Sequence, residues 1–145
     1  MTGTASTPFI VVGIDGSEHS IDALRQAHRM ADALHADIRV VAAWEWPFMY
    51  DPTATPHYSP AKEAKREVRS ALDEVLGVRG AEAVPVEVVH GSAAKALIDA
   101  SENAAMLVVG SRGHGGFAGL LLGSVSAAVA EHAHCPVLVV HPARP

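Results

Sequence analysis

Five short apolar runs punctuate the chain, and between them apolar residues recur every three or four positions. Phe9 to Asp15, Ile38 to Trp44, Val84 to His90, Met106 to Gly110 and Pro136 to Val140 are nearly continuous in apolar residues. Runs of this length predict strands, and the first two suit buried ones, the first on both faces. After the first run, Ile21, Leu24, Ala27, Ala31 and Leu34 fall on one helical stripe, with Ser17 or Ser20 placed to cap its first turn. Ser59-Pro60 places a capping serine before a proline at the first helical position. Ala64, Val68, Ala71, Leu72 and Val75 then form an apolar face, which Gly77 and Gly80 are expected to end. Gly91-Ser92 leads into a helix carrying Leu97 and Ile98, and Gly123-Ser124 opens a last helix running to His134.

The order is therefore β-α-β-α-β-α-β-α-β. Strands separated by helices pair in parallel through right-handed crossovers. The expected fold is α/β: an open, doubly wound sheet of five strands with helices on both faces. One segment breaks the alternation. Residues 45–60 hold Pro47, Pro52, Pro56 and Pro60 among several aromatics, which predicts a long irregular loop.

A length of 145 residues suits one domain spanning 1–145, with a flexible segment at 1–7. Hydrophobic residues make up 49% of the chain and charged residues 19%, a globular composition. A net charge of -5 argues against nucleic acid as a partner, because phosphate backbones select a basic face. The most apolar stretch, Phe117 to Ala130, is interrupted by Gly119, Gly123, Ser124 and Ser126, so no membrane span is expected. Cys135 is the single cysteine, which excludes an internal disulfide and fits a reducing, cytoplasmic setting. Met1 to Pro8 lacks the basic start of a signal peptide.

Candidate chemistry gathers at two strand ends. In doubly wound sheets, ligands bind beyond the carboxyl ends of the strands, where the strand order reverses. The first run closes in Gly13-Ile14-Asp15-Gly16-Ser17 and the fourth in Gly110-Ser111-Arg112-Gly113-His114-Gly115-Gly116. Glycines let the backbone turn sharply and let a ligand approach it, so that exposed N–H groups form an anion nest. Gly123-Ser124 adds a helix start whose free N–H groups and dipole favour phosphate, and Arg112 adds charged donors. Neither a glycine cluster nor a glycine-serine helix start is specific alone. Their combination, Gly110-x2-Gly113-x9-Gly123-Ser124, points to a polyphosphate. It is not a Walker A loop, since no Gly-Lys-Ser/Thr follows the glycines, and it does not sit after the first strand as a Rossmann fingerprint does.

These residues resemble the universal stress protein family. The spacing of Gly110, Gly113, Gly123 and Ser124 is similar to that family's ATP-binding signature. The opening Val11 to Ser17 and the closing Cys135 to Val140 resemble its first and last strands. The resemblance runs from Phe9 to His141 and implies a sheet in the order 3-2-1-4-5 with ATP between the first and fourth strand ends. Gly13 and Asp15 would then lie near base and ribose, and Ala43 would line the adenine pocket through its backbone. Gly110, Gly113, Gly123, Ser124 and Val125 would hold ribose and phosphates. Arg112, His114, Gly115 and Gly116 would face the terminal phosphates, and Asp15 is the candidate Mg²⁺ ligand. The resemblance also implies a homodimer. Residues 45–60 match no family pattern. They would border the adenine side, as a surface loop packed on the domain or, alternatively, as a lid or partner surface.

Phosphoryl transfer needs a positioned nucleophile and charge stabilisation, usually with Mg²⁺. The sequence offers no acidic pair or evident general base beside the glycine loop, so no catalytic residue is assigned and at most slow ATP hydrolysis is expected. His132, His134 and Cys135 cluster near a helix end, where histidine is favoured by the dipole, and a structural metal there is not expected. The acidic and basic residues of Lys62 to Glu74 read as a solvated helix face. Three functions remain open: an ATP-binding regulatory stress-response module acting on an unidentified protein partner, a slow ATPase on the same site, and a dimeric interaction protein that uses no nucleotide.

Overall fold

The structure, a computed structural model, describes residues 6–113 and 122–142. The five apolar runs become strands β1 (Phe9–Gly13), β2 (Asp37–Trp44), β3 (Val86–His90), β4 (Met106–Gly110) and β5 (Val137–Val140). Between them lie helices α1 (Glu18–Leu34), α2 (Pro60–Glu82), α3 (Ala93–Ala100) and α4 (Ser124–His132). The strands form one sheet in the order β3-β2-β1-β4-β5, with every neighbouring pair parallel.

Strand side chains alternate between the two faces of a sheet, and the core divides accordingly. Ile10 and Val12 point to one face, where they meet Leu24 and Ala27 of α1 and Val68 and Leu72 of α2. Val11 points to the other, with Val41, Leu107 and Val109, against Leu97 of α3 and Val129 of α4. Leu24, Leu72 and Leu107 are fully buried, and truncating such a leucine to alanine costs about 2–5 kcal/mol.

Serine caps open three of the helices. Ser17, Ser59 and Ser92 accept from the backbone N–H of Ser20, Lys62 and Lys95. Ser17 is thus the cap of α1, and Ser20 belongs to its first turn. One burial expectation and three boundary expectations are corrected. Leu34 is the last residue of α1 and is exposed, because the chain leaves the helix at His35 in the left-handed conformation (φ 51). Gly77 breaks α2 at φ 76, yet helical structure resumes beyond it to Glu82. That resumption delays β3, which begins at Val86 and not at Val84. Finally, α4 stops at His132, because Ala133 is extended and the His134 N–H is drawn to Ser101 Oγ at 2.9 Å.

Residues 45–59 form turns with no helix or strand, as their prolines predict. Among the described residues, no helix is long and apolar enough to cross a membrane.

Candidate functional site

The strand order reverses between β1 and β4. The chain leaving β1 turns toward β2, and the chain leaving β4 turns toward β5, so the two turns diverge and open a crevice at the carboxyl edge. A cavity of about 400 Å³ lies there, within the usual range for small-molecule sites. Val41 and Ala43 of β2, Leu97 of α3 and Val109 of β4 give it an apolar wall. Asp15, Arg112, Gly113, Ser124 and Val125 line its polar end.

Nine of the twelve residues singled out in the sequence surround this one cavity: Gly13, Asp15, Ala43, Gly110, Arg112, Gly113, Gly123, Ser124 and Val125. His114, Gly115 and Gly116 lie outside the described residues.

The glycines earn their places differently from the sequence argument. Gly110, Gly113 and Gly123 do not have positive φ angles. They are small because protein atoms crowd them. A Cβ on Gly110 would sit 2.7 Å from the backbone carbon and oxygen of His19, so this glycine lets α1 pack onto β4. A Cβ on Gly113 would sit 2.5 Å from Asp15 Oδ2, so this glycine brings the two turns together across the crevice. On the apolar side, a Cβ on Gly13 would meet Leu97 Cδ1 at 2.9 Å.

Asp15 is tied to the start of α1. Its Oδ1 accepts from the Ser17 N–H at 2.9 Å and from Ser17 Oγ at 2.5 Å, and its own N–H donates to Ser20 Oγ at 3.3 Å. The start of α4 is arranged in another way. The Gly123 N–H, one of the donors expected to face a phosphate, instead donates to the Ser111 carbonyl at 2.7 Å. As the N-cap, Gly123 supplies no side-chain acceptor. The first N–H groups of a helix have no intrahelical acceptor. The amides of Ser124, Val125 and Ser126 are therefore the donors that α4 leaves open, at the positive end of its dipole.

Sequence reading missed Ser20, Ala93, Leu97 and Ser126, which also line the cavity. Ala93 and Leu97 come from α3, whose apolar positions read as core, and only the sheet topology turns some of them toward the crevice. Ser126 Oγ donates to the Ser111 carbonyl at 2.9 Å, a contact between residues far apart in sequence that no local pattern signals.

The aromatics of residues 44–58 form a ladder beside the site. Trp44 and His90, register partners on β2 and β3, stack at 4.2 Å. Trp46, Tyr50 and Tyr58 continue the series with centroids 4.7–5.7 Å apart. Desolvation, followed by the neighbouring carboxylates of Glu63 and Glu67, pushes the phenol of the exposed Tyr58 above its usual pKa. None of these rings lines the cavity. Among the described residues, no group of three or more His, Cys, Asp or Glu side chains is placed to hold a metal.

A five-stranded parallel sheet in this order, with a cavity at its reversal, defines an open doubly wound α/β protein. The model of the universal stress protein family matches residues 9–141. A universal stress protein of Mycolicibacterium smegmatis is 36% identical over 97% of this chain and 50% of its own length. One from Mycobacterium tuberculosis is 37% identical over 94% of this chain and, again, 50% of its own. The chain thus spans about half the length of the curated relatives it matches. Among solved structures, universal stress protein UspA from Lactobacillus plantarum shares the fold with a TM-score of 0.75 at 21% identity, over 94% of this chain and 99% of that one. A universal stress protein in complex with cAMP aligns at 28% identity with a TM-score of 0.68, over 96% of this chain and 100% of that one. The chain belongs to the universal stress protein family.

Proposed function

We propose that this chain is an ATP-binding regulatory module of the stress response, holding the nucleotide between the ends of β1 and β4 with little or no turnover. The observation that carries the reading is the start of α4, which has no side-chain cap and packs beside Arg112 and Gly113 on the rim of a cavity that also has an apolar wall. The base fits the wall of Val41, Ala43, Leu97 and Val109. The phosphates fit the open amides of Ser124 and Val125, the Ser124 hydroxyl, Gly113 and Arg112. A relative solved with cAMP supports an adenine nucleotide as the ligand class.

Mg²⁺ is commonly held by one or two carboxylates together with substrate phosphates. Asp15 is the one carboxylate among the described lining residues, and its Oδ1 already accepts from Ser17. The fit is to a metal carried mainly by phosphates and water, with Asp15 as its protein ligand. Bound there, the ion would neutralise phosphate charge. Among the described lining residues Asp15 is the one carboxylate, and its Oδ1 is engaged by Ser17, which supports slow turnover at most. Steady-state hydrolysis is expected below about 1 s⁻¹, the low end of enzyme turnover.

The test is to denature the purified protein, identify released nucleotide by chromatography, and titrate the emptied protein with ATP and cAMP in a calorimeter, with and without Mg²⁺. Adenine nucleotide near one per chain, or saturable ATP binding, supports the reading. Absence of both favours a nucleotide-independent interaction protein, and turnover above about 1 s⁻¹ favours an ATPase. Tighter binding of cAMP than of ATP would reassign the ligand within the same cleft. As a regulatory module, the chain is proposed to act as a cytoplasmic homodimer, and sedimentation with and without ATP reads its assembly state.

A further inference from the structure

We infer that Ser126 is a positioning residue for the phosphate end of the site: its buried hydroxyl ties the two ends of the glycine-rich loop together and so aims the open amides of α4 at the ligand. The inference deepens the nucleotide reading and rests on it.

Ser111 follows β4, and Gly123 caps α4. Core packing of Val129 holds the body of α4 against the sheet, and contacts between Ser111 and the first turn of α4 fix where its start lies. The Ser111 N–H donates to the Val140 carbonyl at 2.9 Å, which anchors this residue to β5. Its carbonyl then accepts from the Gly123 N–H at 2.7 Å and from Ser126 Oγ at 2.9 Å. A carbonyl oxygen has two lone pairs, and this one has a donor for each. Ser126 Oγ also lies 3.1 Å from the Gly123 carbonyl. The three residues form a closed clasp at the mouth of the loop, and Ser126 is only 3% exposed.

A serine hydroxyl carries one proton. Ser126 directs it at protein carbonyls, so it cannot also donate to a phosphate without opening the clasp. Its role is therefore exerted through the backbone of Gly123 to Val125, while Ser124 remains free to contact the ligand directly. Loss of the hydroxyl leaves the Ser111 carbonyl with one donor and lets α4 shift relative to β4. The phosphate end of the site moves, while the apolar base wall of Val41, Leu97 and Val109 belongs to other elements and stays in place.

The experiment titrates wild type, Ser126→Ala and Ser126→Thr with MgATP and with adenosine, alongside thermal melts. Ser126→Ala is expected to weaken MgATP about tenfold, the scale of one buried hydrogen bond, with adenosine affinity unchanged. Ser126→Thr, which keeps the hydroxyl, restores MgATP binding. Equal losses for both ligands, or no loss for MgATP, overturn the positioning role. Failure of the wild-type chain to bind MgATP overturns the nucleotide reading and this inference with it. Amide exchange in the free wild-type protein gives a readout independent of any variant. The Gly123 N–H should exchange as slowly as amides inside α4, and exchange at the rate of an open loop would overturn the clasp.

Discussion

The turns that follow β1 and β4 open the same cavity, and both lead into a helix, yet they are built on opposite plans. After β1, side chains satisfy the backbone. Ser17 caps α1, Asp15 accepts from Ser17, and the Asp15 N–H donates to Ser20. After β4, a backbone amide and the Ser126 hydroxyl satisfy backbone carbonyls, and no side chain caps the helix amides. The Ser111 carbonyl takes the Gly123 N–H, and α4 begins at a glycine with no side chain to offer. The first turn is a finished, acidic wall with little left to give an anion. The second is a clasp that leaves its helix start open. On the proposed nucleotide reading, this difference would put the anionic end of the ligand toward α4 and a metal, if one is carried, toward Asp15.

The contrast can be broken from either side. The largest effect is expected at Gly110, where a side chain collides with the α1 backbone and not with any ligand. Gly110→Val should lower stability by about 3 kcal/mol, a fall of roughly 10 °C in melting temperature by calorimetry. A melt unchanged from wild type would refute the packing role. Gly113→Val should spare cooperative unfolding but force the two turns apart at Asp15, weakening MgATP by at least about tenfold. Unchanged affinity in the folded variant would mean that the phosphates lie elsewhere.

Gly123→Ser sharpens the comparison, because it gives α4 the kind of cap that α1 has. The backbone there (φ -72, ψ 170) suits serine, while the added Cβ, 3.3 Å from Arg112 Cα, needs its neighbours to give by a few tenths of an ångström. Stability should change by only a few tenths of a kcal/mol, while the new hydroxyl competes with phosphate for the helix amides. A several-fold loss of MgATP affinity is expected by calorimetry, and a gain would show that those amides are not the phosphate site. The smallest effect on binding is expected on the opposite side. Ser17→Ala removes a cap worth about 1 kcal/mol and should lower the melting temperature with little change in MgATP affinity. A loss of affinity as large as that of Gly113→Val would put the phosphates on α1 instead.

Much of this was legible in the residues. Continuous apolar runs and helical stripes carry the α/β alternation: burial on two faces leaves β1 and β4 no polar positions to alternate, whereas β3, at the sheet edge, is largely exposed. The strand order came through the family resemblance, carried by Gly110, Gly113, Gly123 and Ser124, since periodicity alone does not rank strands within a sheet. The physical reasons for the glycines were not legible. Close approach to His19 and Asp15 involves residues distant in sequence, and a list of glycines cannot separate that from a ligand's approach. The same limit hid Ser126, whose partner is Ser111, and Leu97, whose apolar character reads equally as core. The end of α1 was obscured because a histidine took the left-handed position that glycine usually signals. At Gly77 the chain resumed a helix that glycine was expected to end.

The central claim is that an ATP phosphate chain sits on the open start of α4. Following backbone amide resonances while MgATP is titrated into the nucleotide-free protein tests it most directly. The account predicts saturating shifts centred on Gly113 and on Ser124 to Ser126, with smaller shifts at Val41 and Leu97 from the base. Absence of saturable shifts, or shifts centred on Trp44 and His90 with Ser124 to Ser126 unmoved, would contradict it.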